Sequence, residues 1–146
     1  MVPKKILVAH DFSDPADRAL LFAANLADKV GASLVVAHVH PDVYNSGDAP
    51  TAMPWPDPSQ EERYMRFLDA EVERVVTAVL GDAGSRVERH VLRGDAAKRL
   101  VGLAEDLGAD LICIGSTGKG AVERVLLGSV SQRVLRMSGI PVLTVH

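Results

Sequence analysis

A single cysteine, Cys113, stands among the 146 residues, which excludes an internal disulfide framework and any zinc or iron–sulfur site built on several thiolates. Aromatic residues make up only 4%, too few to flank a flavin, and this argues against a flavodoxin-like redox role. Long apolar runs are missing too. A run such as Leu111 to Ile114 falls far short of the roughly 18 residues that a membrane span requires, and Met1-Val2-Pro3-Lys4-Lys5 has no signal-like apolar stretch. The expectation is a cytoplasmic protein with no membrane partner. Neither charge sign dominates: sixteen basic and nineteen acidic residues leave a net charge of −3, which disfavours non-specific nucleic-acid binding. Two phosphate-binding signatures are also absent. The Gly-x-x-x-x-Gly-Lys-Ser/Thr loop does not occur, and the turn after the first apolar run, His10-Asp11-Phe12-Ser13, contains no glycine of a dinucleotide fingerprint.

What is present is an alternation of short apolar runs with helical patterns, at a length that suits one domain over 1–146. Lys5 to Ala9 reads as a strand buried on both faces. Asp14 is the expected cap of the helix that follows, with Pro15 at its first position and Ala16, Leu20, Ala23, Ala27 and Val30 on one face up to Gly31. Ser33 to Val39 is a second buried strand. Asp57 or Ser59 opens a second helix, with Ser59 and Glu62 at capping-box spacing and Met65, Leu68, Val72, Val76 and Val79 among its apolar residues. Arg86 to Leu92 alternates as an edge strand would. After Gly94-Asp95 comes a helix with Ala97, Leu100, Val101, Ala104 and Leu107 inward. Asp110 to Ile114, the most apolar strand, is expected in the sheet interior. A last helix spans Ser129 to about Met137, and Pro141 to Val145 is a terminal strand. The order βαβαβαβαβ specifies a doubly wound α/β sandwich: a parallel sheet with helices on both faces. One connection, His40 to Pro58, is unusually long and holds five of the eight prolines. With Tyr44 and Trp55 it reads as a flap or interaction loop.

In such sheets ligands bind beyond the carboxyl ends of strands where the strand order reverses. Gly115-Ser116-Thr117-Gly118 follows the most buried strand, and nine residues later Gly128-Ser129-Val130-Ser131 begins a helix. Glycines let a phosphate approach the backbone, and helix-start amides with the hydroxyls of Ser129 and Ser131 can donate to it. The segment from Leu111 onward carries four basic residues, Lys119, Arg124, Arg133 and Arg136, against one acid, Glu123, so an anion is expected at this end. A structural alternative stands beside it: Ser129 with Gln132 as a capping box, and Gly115 and Gly118 as turn glycines. His10, His38, His40 and Asp11 have metal-ligand chemistry but read as structural histidines, and Cys113 as a small core residue.

The stretch GSTGKGAVERVLLGSVS resembles the ATP-binding pattern of the universal stress protein family: Gly, two residues, Gly, nine residues, then Gly and Ser/Thr. ILVAHDFSDPADRAL, AHV, GDAA and GIPVLTV are similar to that family's opening strand and helix, second strand end, Gly-x-Pro/Ala turn and closing strand. The resemblance implies a three-layer, Rossmann-like sandwich of the nucleotide alpha hydrolase kind, with a five-stranded parallel sheet in order 3-2-1-4-5. It also implies ATP between the first and fourth strands and a homodimer through residues 141–145. By that resemblance, Ala9 and Asp11 lie beside the nucleoside and ribose, and Val39 offers backbone groups to adenine. Gly94 and Ala96 shape the adenine and ribose side, while Gly115, Thr117, Gly118, Gly128, Ser129, Val130 and Ser131 hold the phosphates. His10 departs from the pattern, since the family more often has a small or hydroxyl residue before the aspartate. A divalent ion, Mg or Mn, would bridge the phosphates without a protein ligand set of its own. No catalytic residue is assigned. The expected role is a nucleotide-dependent regulator of the stress response with no or slow hydrolysis; a hydrolase or transferase, and a scaffold that binds no nucleotide, are the alternatives.

Overall fold

The computed structural model describes residues 1–41, 57–118 and 127–146. The central part of the proline-rich connection, with Tyr44 and Trp55, lies outside the described residues, as do Lys119, Glu123 and Arg124. Five strands form one all-parallel sheet: β1 (Lys5–Ala9), β2 (Ser33–His40), β3 (Glu88–Arg93), β4 (Leu111–Gly115) and β5 (Val142–Val145), in the order β3-β2-β1-β4-β5. Helices α1 (Asp14–Val30), α2 (Pro58–Leu80), α3 (Ala96–Asp106) and α4 (Ser129–Met137) connect them, with a 3-10 helix over Gly81–Arg86. The doubly wound sandwich and its strand order are therefore as expected. As its alternation suggested, β3 is an edge strand, and β4 lies inside the sheet between β1 and β5.

Strand alternation divides the core in two. Leu7, Ala9, Val35, Ala37, Ile112 and Ile114 face the inner residues of α3 and Val134 of α4. Ile6, Val8, Val36 and Cys113 face α1 and α2 through Ala19, Leu20, Ala23, Val72 and Val76. A strand buried on both sides must be apolar at every position, which is why β1 and β4 read as continuous runs. Cys113 is fully buried, and burial pushes its thiol up to about 11, so it behaves as a small apolar residue.

Several boundaries differ from expectation for identifiable reasons. Ser13, not Asp14, caps α1: its hydroxyl accepts from the Ala16 amide at 3.4 Å. Asp57 caps α2, and Ser59 donates to it rather than forming a box with Glu62. β3 starts at Glu88 because Gly81–Arg86 winds into the 3-10 helix. Asp95 caps α3 by accepting from the Lys98 amide at 2.9 Å.

The chain leaves β1 for α1 on one face of the sheet and leaves β4 for α4 on the other, so the two connections diverge and leave a crevice beyond the paired ends of those strands. Shortening a side chain beneath that crevice should be costly. Replacing the fully buried Ile112 by alanine is expected to lower stability by about 2–5 kcal/mol, and Leu21→Ala, on the exposed face of α1, by less than about 0.5 kcal/mol. Urea denaturation of the two variants checks the contrast.

Candidate functional site

A cavity of about 690 Å³ opens at the C-terminal ends of β1, β2 and β4, a size suited to a nucleotide-sized ligand. Ala9 and Asp11 at the end of β1, Val39 of β2 and Ala96 of α3 line it. Gly115, Thr117 and Gly118 after β4 line it as well, with Gly128, Ser129, Val130 and Ser131 at the start of α4. Of the residues that the resemblance assigns to the nucleotide, only Gly94 is not in the wall. It sits in the turn after β3 at φ +120°, and its amide donates to the His40 carbonyl at 3.0 Å. Ala16, Ala37, His38, Pro41, Leu100 and Ile114 also line the cavity, though no role was assigned to them as ligand contacts. Alternation along β2 held the signal for Ala37, which is the register partner of Ala9 and shares its face with Val39.

The α4 end of the cavity is made of main chain. Gly128 precedes α4 in extended conformation, and among the described residues no side chain caps the helix. The alternative capping box is thus absent: Gln132 donates instead to the Leu127 carbonyl at 3.0 Å. The first amides of α4 and the positive end of its dipole are presented at the cavity wall, an arrangement that favours an anion. Ser131 is buried, and its hydroxyl donates to the Gly115 carbonyl at 2.8 Å, so its proton ties α4 to β4 rather than serving as a further donor to a ligand. Gly115 has a packing reason to be glycine. A Cβ there would lie 2.9 Å from the Pro15 carbonyl carbon and 3.0 Å from the Ala16 nitrogen, both backbone of α1. Gly118 has a different one, for its Cβ would stand 2.7 Å from Asp11 Oδ2. The carboxylate therefore reaches across the crevice to the loop after β4.

Charge is distributed differently from expectation. Arg133 forms a two-pronged pair with Asp95, at 2.7 and 3.0 Å, linking α4 to α3 instead of facing the cavity. That pairing holds the Asp95 carboxyl below its ordinary value, with the bond from the Lys98 amide adding to it. Among the described residues no lysine or arginine lines the cavity, and Asp11 is its one carboxylate.

The turn that carries Asp11 has an unusual backbone. Phe12 adopts φ +64°, left-handed for a bulky residue, at a cost of about 1–3 kcal/mol. The surroundings hold it there. The Phe12 amide donates to His10 Nδ1 at 3.1 Å, and the Phe12 ring packs at 4.5 Å from the His38 ring and 5.8 Å from that of His10. Ser13 donates to Asp11 Oδ1 from both its amide and its hydroxyl. His10 Nε2 meets Asp17 Oδ1 at 2.9 Å, and His38 Nδ1 donates to the His10 carbonyl at 2.8 Å. Both rings are buried, and burial lowers both pKa values, so the neutral forms prevail at neutral pH. His10 and His38 are thus hydrogen-bonded parts of the architecture. Among the described residues no group of three His, Cys, Asp or Glu side chains could hold a metal ion, nor is any helix long and apolar enough to cross a membrane.

This geometry agrees with what comparison with known proteins finds: the pattern of the universal stress protein family matches residues 3–146. The chain belongs to the universal stress protein family. It is similar to a universal stress protein of Thermus aquaticus, 35% identical over 147 residues, with 98% of each chain covered. Among solved structures, it resembles a universal stress protein in complex with cAMP, with a TM-score of 0.68, 25% identity and coverage of 100% of this chain and 99% of that one. It also resembles the Archaeoglobus fulgidus universal stress protein in complex with dAMP, with a TM-score of 0.62, 25% identity and both chains covered in full.

In this universal stress protein the close approach of α1 to Gly115 should be intolerant of a side chain. Gly115→Ala is expected to destabilise the fold by about 1–3 kcal/mol, because the new methyl meets backbone that cannot rotate away. Thermal unfolding of the variant beside the parent chain measures the loss.

Proposed function

We propose that this universal stress protein binds ATP in the cavity between β1 and β4. In this reading the chain is a single-domain, cytoplasmic, homodimeric regulator of the stress response whose conformation or partners depend on nucleotide, with no or slow hydrolysis. The observation that carries the reading is the uncapped start of α4, which forms one wall of a nucleotide-sized cavity opposite Asp11. The relatives in complex with cAMP and dAMP support a nucleotide, and the spacing of Gly115, Gly118, Gly128 and Ser129 favours ATP.

Roles follow from position. Ala9 and Asp11 take the nucleoside, with the Asp11 carboxylate as acceptor for the ribose hydroxyls. Val39 contributes backbone groups to the base, and Ala96 keeps that side of the cavity open. Gly94 acts at one remove, through the turn that leads into α3. Thr117, Gly118 and the Gly128 to Ser131 segment receive the phosphates, with Gly115 and Ser131 anchoring that segment. A divalent ion, Mg or Mn, would arrive with the phosphates and take its ligands from them and from water. Phosphoryl transfer needs concentrated positive charge at the transferring group. Among the described residues the wall supplies amides and a helix dipole instead, which favours holding a nucleotide over cleaving it. The net charge of −3 supports the absence of a nucleic-acid partner.

Calorimetric titration with ATP and Mg is expected to give micromolar binding, and no heat at millimolar ATP would overturn the proposal. Ser129→Asp separates folding from binding. A carboxylate at a helix start is favourable to the helix but repels a phosphate, so Tm should hold or rise while ATP affinity falls by about tenfold or more. For assembly, β5 is a four-residue edge strand with every residue partly exposed. Pairing with a second copy would cover it. Light scattering at micromolar concentration should return the mass of a dimer, and a monomer would refute that part.

A further inference from the structure

His10 occupies a position where this chain departs from its family's pattern, and its two ring nitrogens are committed in opposite senses. Nε2 lies 2.9 Å from a carboxylate oxygen of Asp17, which can only accept. Nδ1 lies 3.1 Å from the Phe12 amide, which can only donate. One form of the ring satisfies both: neutral, with its proton on Nε2. The accepted amide belongs to the left-handed residue of the turn, and the adjoining residue is Asp11, at the mouth of the cavity.

We infer that His10 is a positioning residue of the nucleotide site: its neutral ring clamps the Phe12 turn and thereby aims the Asp11 carboxylate, and a proton on Nδ1 releases the clamp. This inference rests on the nucleotide reading given above. Adding that proton balances simply. One proton from solvent joins the Nδ1 lone pair, the ring becomes a cation, and the Phe12 amide then faces another N–H with no acceptor between them. The left-handed backbone at Phe12 loses one of its supports, and the Asp11 carboxylate, still bonded to Ser13, shifts with the turn that carries it.

Groups from every neighbouring element act on this equilibrium. Asp17 on α1 and Asp11 in the turn favour the cation. On β2, His38 feels the His10 ring as a charge that lowers its own affinity for a proton, so the two rings disfavour being charged together. On α2, Arg74 interacts with Asp17 and weakens the latter's pull. Burial of the ring outweighs these attractions and keeps it neutral at neutral pH. The sign follows. Nucleotide affinity is full above the ordinary histidine range and declines as acid protonates the ring.

The test compares the chain with His10→Asn, whose side-chain oxygen can accept from the Phe12 amide but does not titrate. ATP affinity is measured by calorimetry from pH 8 to pH 5 in identical buffers, so that titration of the ligand itself is common to both proteins. The parent chain should lose affinity about threefold or more relative to His10→Asn by pH 5, whatever the variant's affinity at pH 8. Parallel profiles would overturn the inference. A second measurement needs no nucleotide and no variant: long-range proton–nitrogen NMR of the parent chain. It should show the proton of His10 on Nε2 at pH 8 and the Phe12 amide resonance titrating together with the ring. A proton on Nδ1, or a Phe12 amide indifferent to the ring's titration, would also overturn the inference. Failure of ATP to bind at pH 8 instead refutes the nucleotide reading, and the His10 and Phe12 resonances still decide whether the clamp exists.

Discussion

The buried hydrogen bond from the Ser131 hydroxyl to the Gly115 carbonyl joins the first turn of α4 to the last residue of β4. Beside it the Gly128 amide donates to the Ser116 carbonyl at 2.6 Å. Together they hold a helix start, with its amides uncapped, against the end of an interior strand. Without that attachment the positive end of α4 would point into solvent, where water would satisfy its donors and no directional site would exist. The side chains the family pattern assigns to phosphate are thus partly used to build the wall, and the main chain is what the wall offers.

Across the crevice the opposite problem is solved by a strained turn. A carboxylate facing a wall of helix-start amides needs a fixed direction, and the His10–Phe12–Ser13 hydrogen bonds supply it at the expense of a left-handed phenylalanine. Strain of this kind persists only where surrounding contacts over-determine the backbone, and it concentrates at functional positions. Here the surrounding contacts are the His10 and His38 rings on either side of Phe12 and the Asp17 carboxylate behind His10. Asp95 and Arg133 complete the frame by joining α3 to α4 on the other face of the sheet.

How much of this could be read from the residues differs by element. The strands β1 and β4 were legible because burial on both faces demands unbroken apolar runs, and the helices because their inner faces repeat at helical spacing. Capping was less so: Ser13 and Asp14, or Asp57 and Ser59, are chemically equivalent candidates, and only the backbone path decides which oxygen meets the free amide. The edge strand β3 was blurred at its start because Gly81–Arg86 carries no periodic signal. Arg133 was assigned to the cavity from charge counting, yet its partner Asp95 lies 38 residues away, a distance over which composition says nothing about pairing.

The amino-acid order alone therefore determined the class of fold, the place of the cavity at the strand ends, and the glycine and serine spacing that belongs to a universal stress protein. Periodicity and local motif suffice for these, since they depend on contacts between near neighbours or on burial as a whole. Three other features were decided by tertiary structure. Gly115 yields to the backbone of α1, the Ser131 proton is spent on β4, and the His10 ring holds one tautomer between Asp17 and the Phe12 amide. Each depends on the direction in which a group points after the chain has crossed the sheet, and direction is set by packing that no linear spacing encodes.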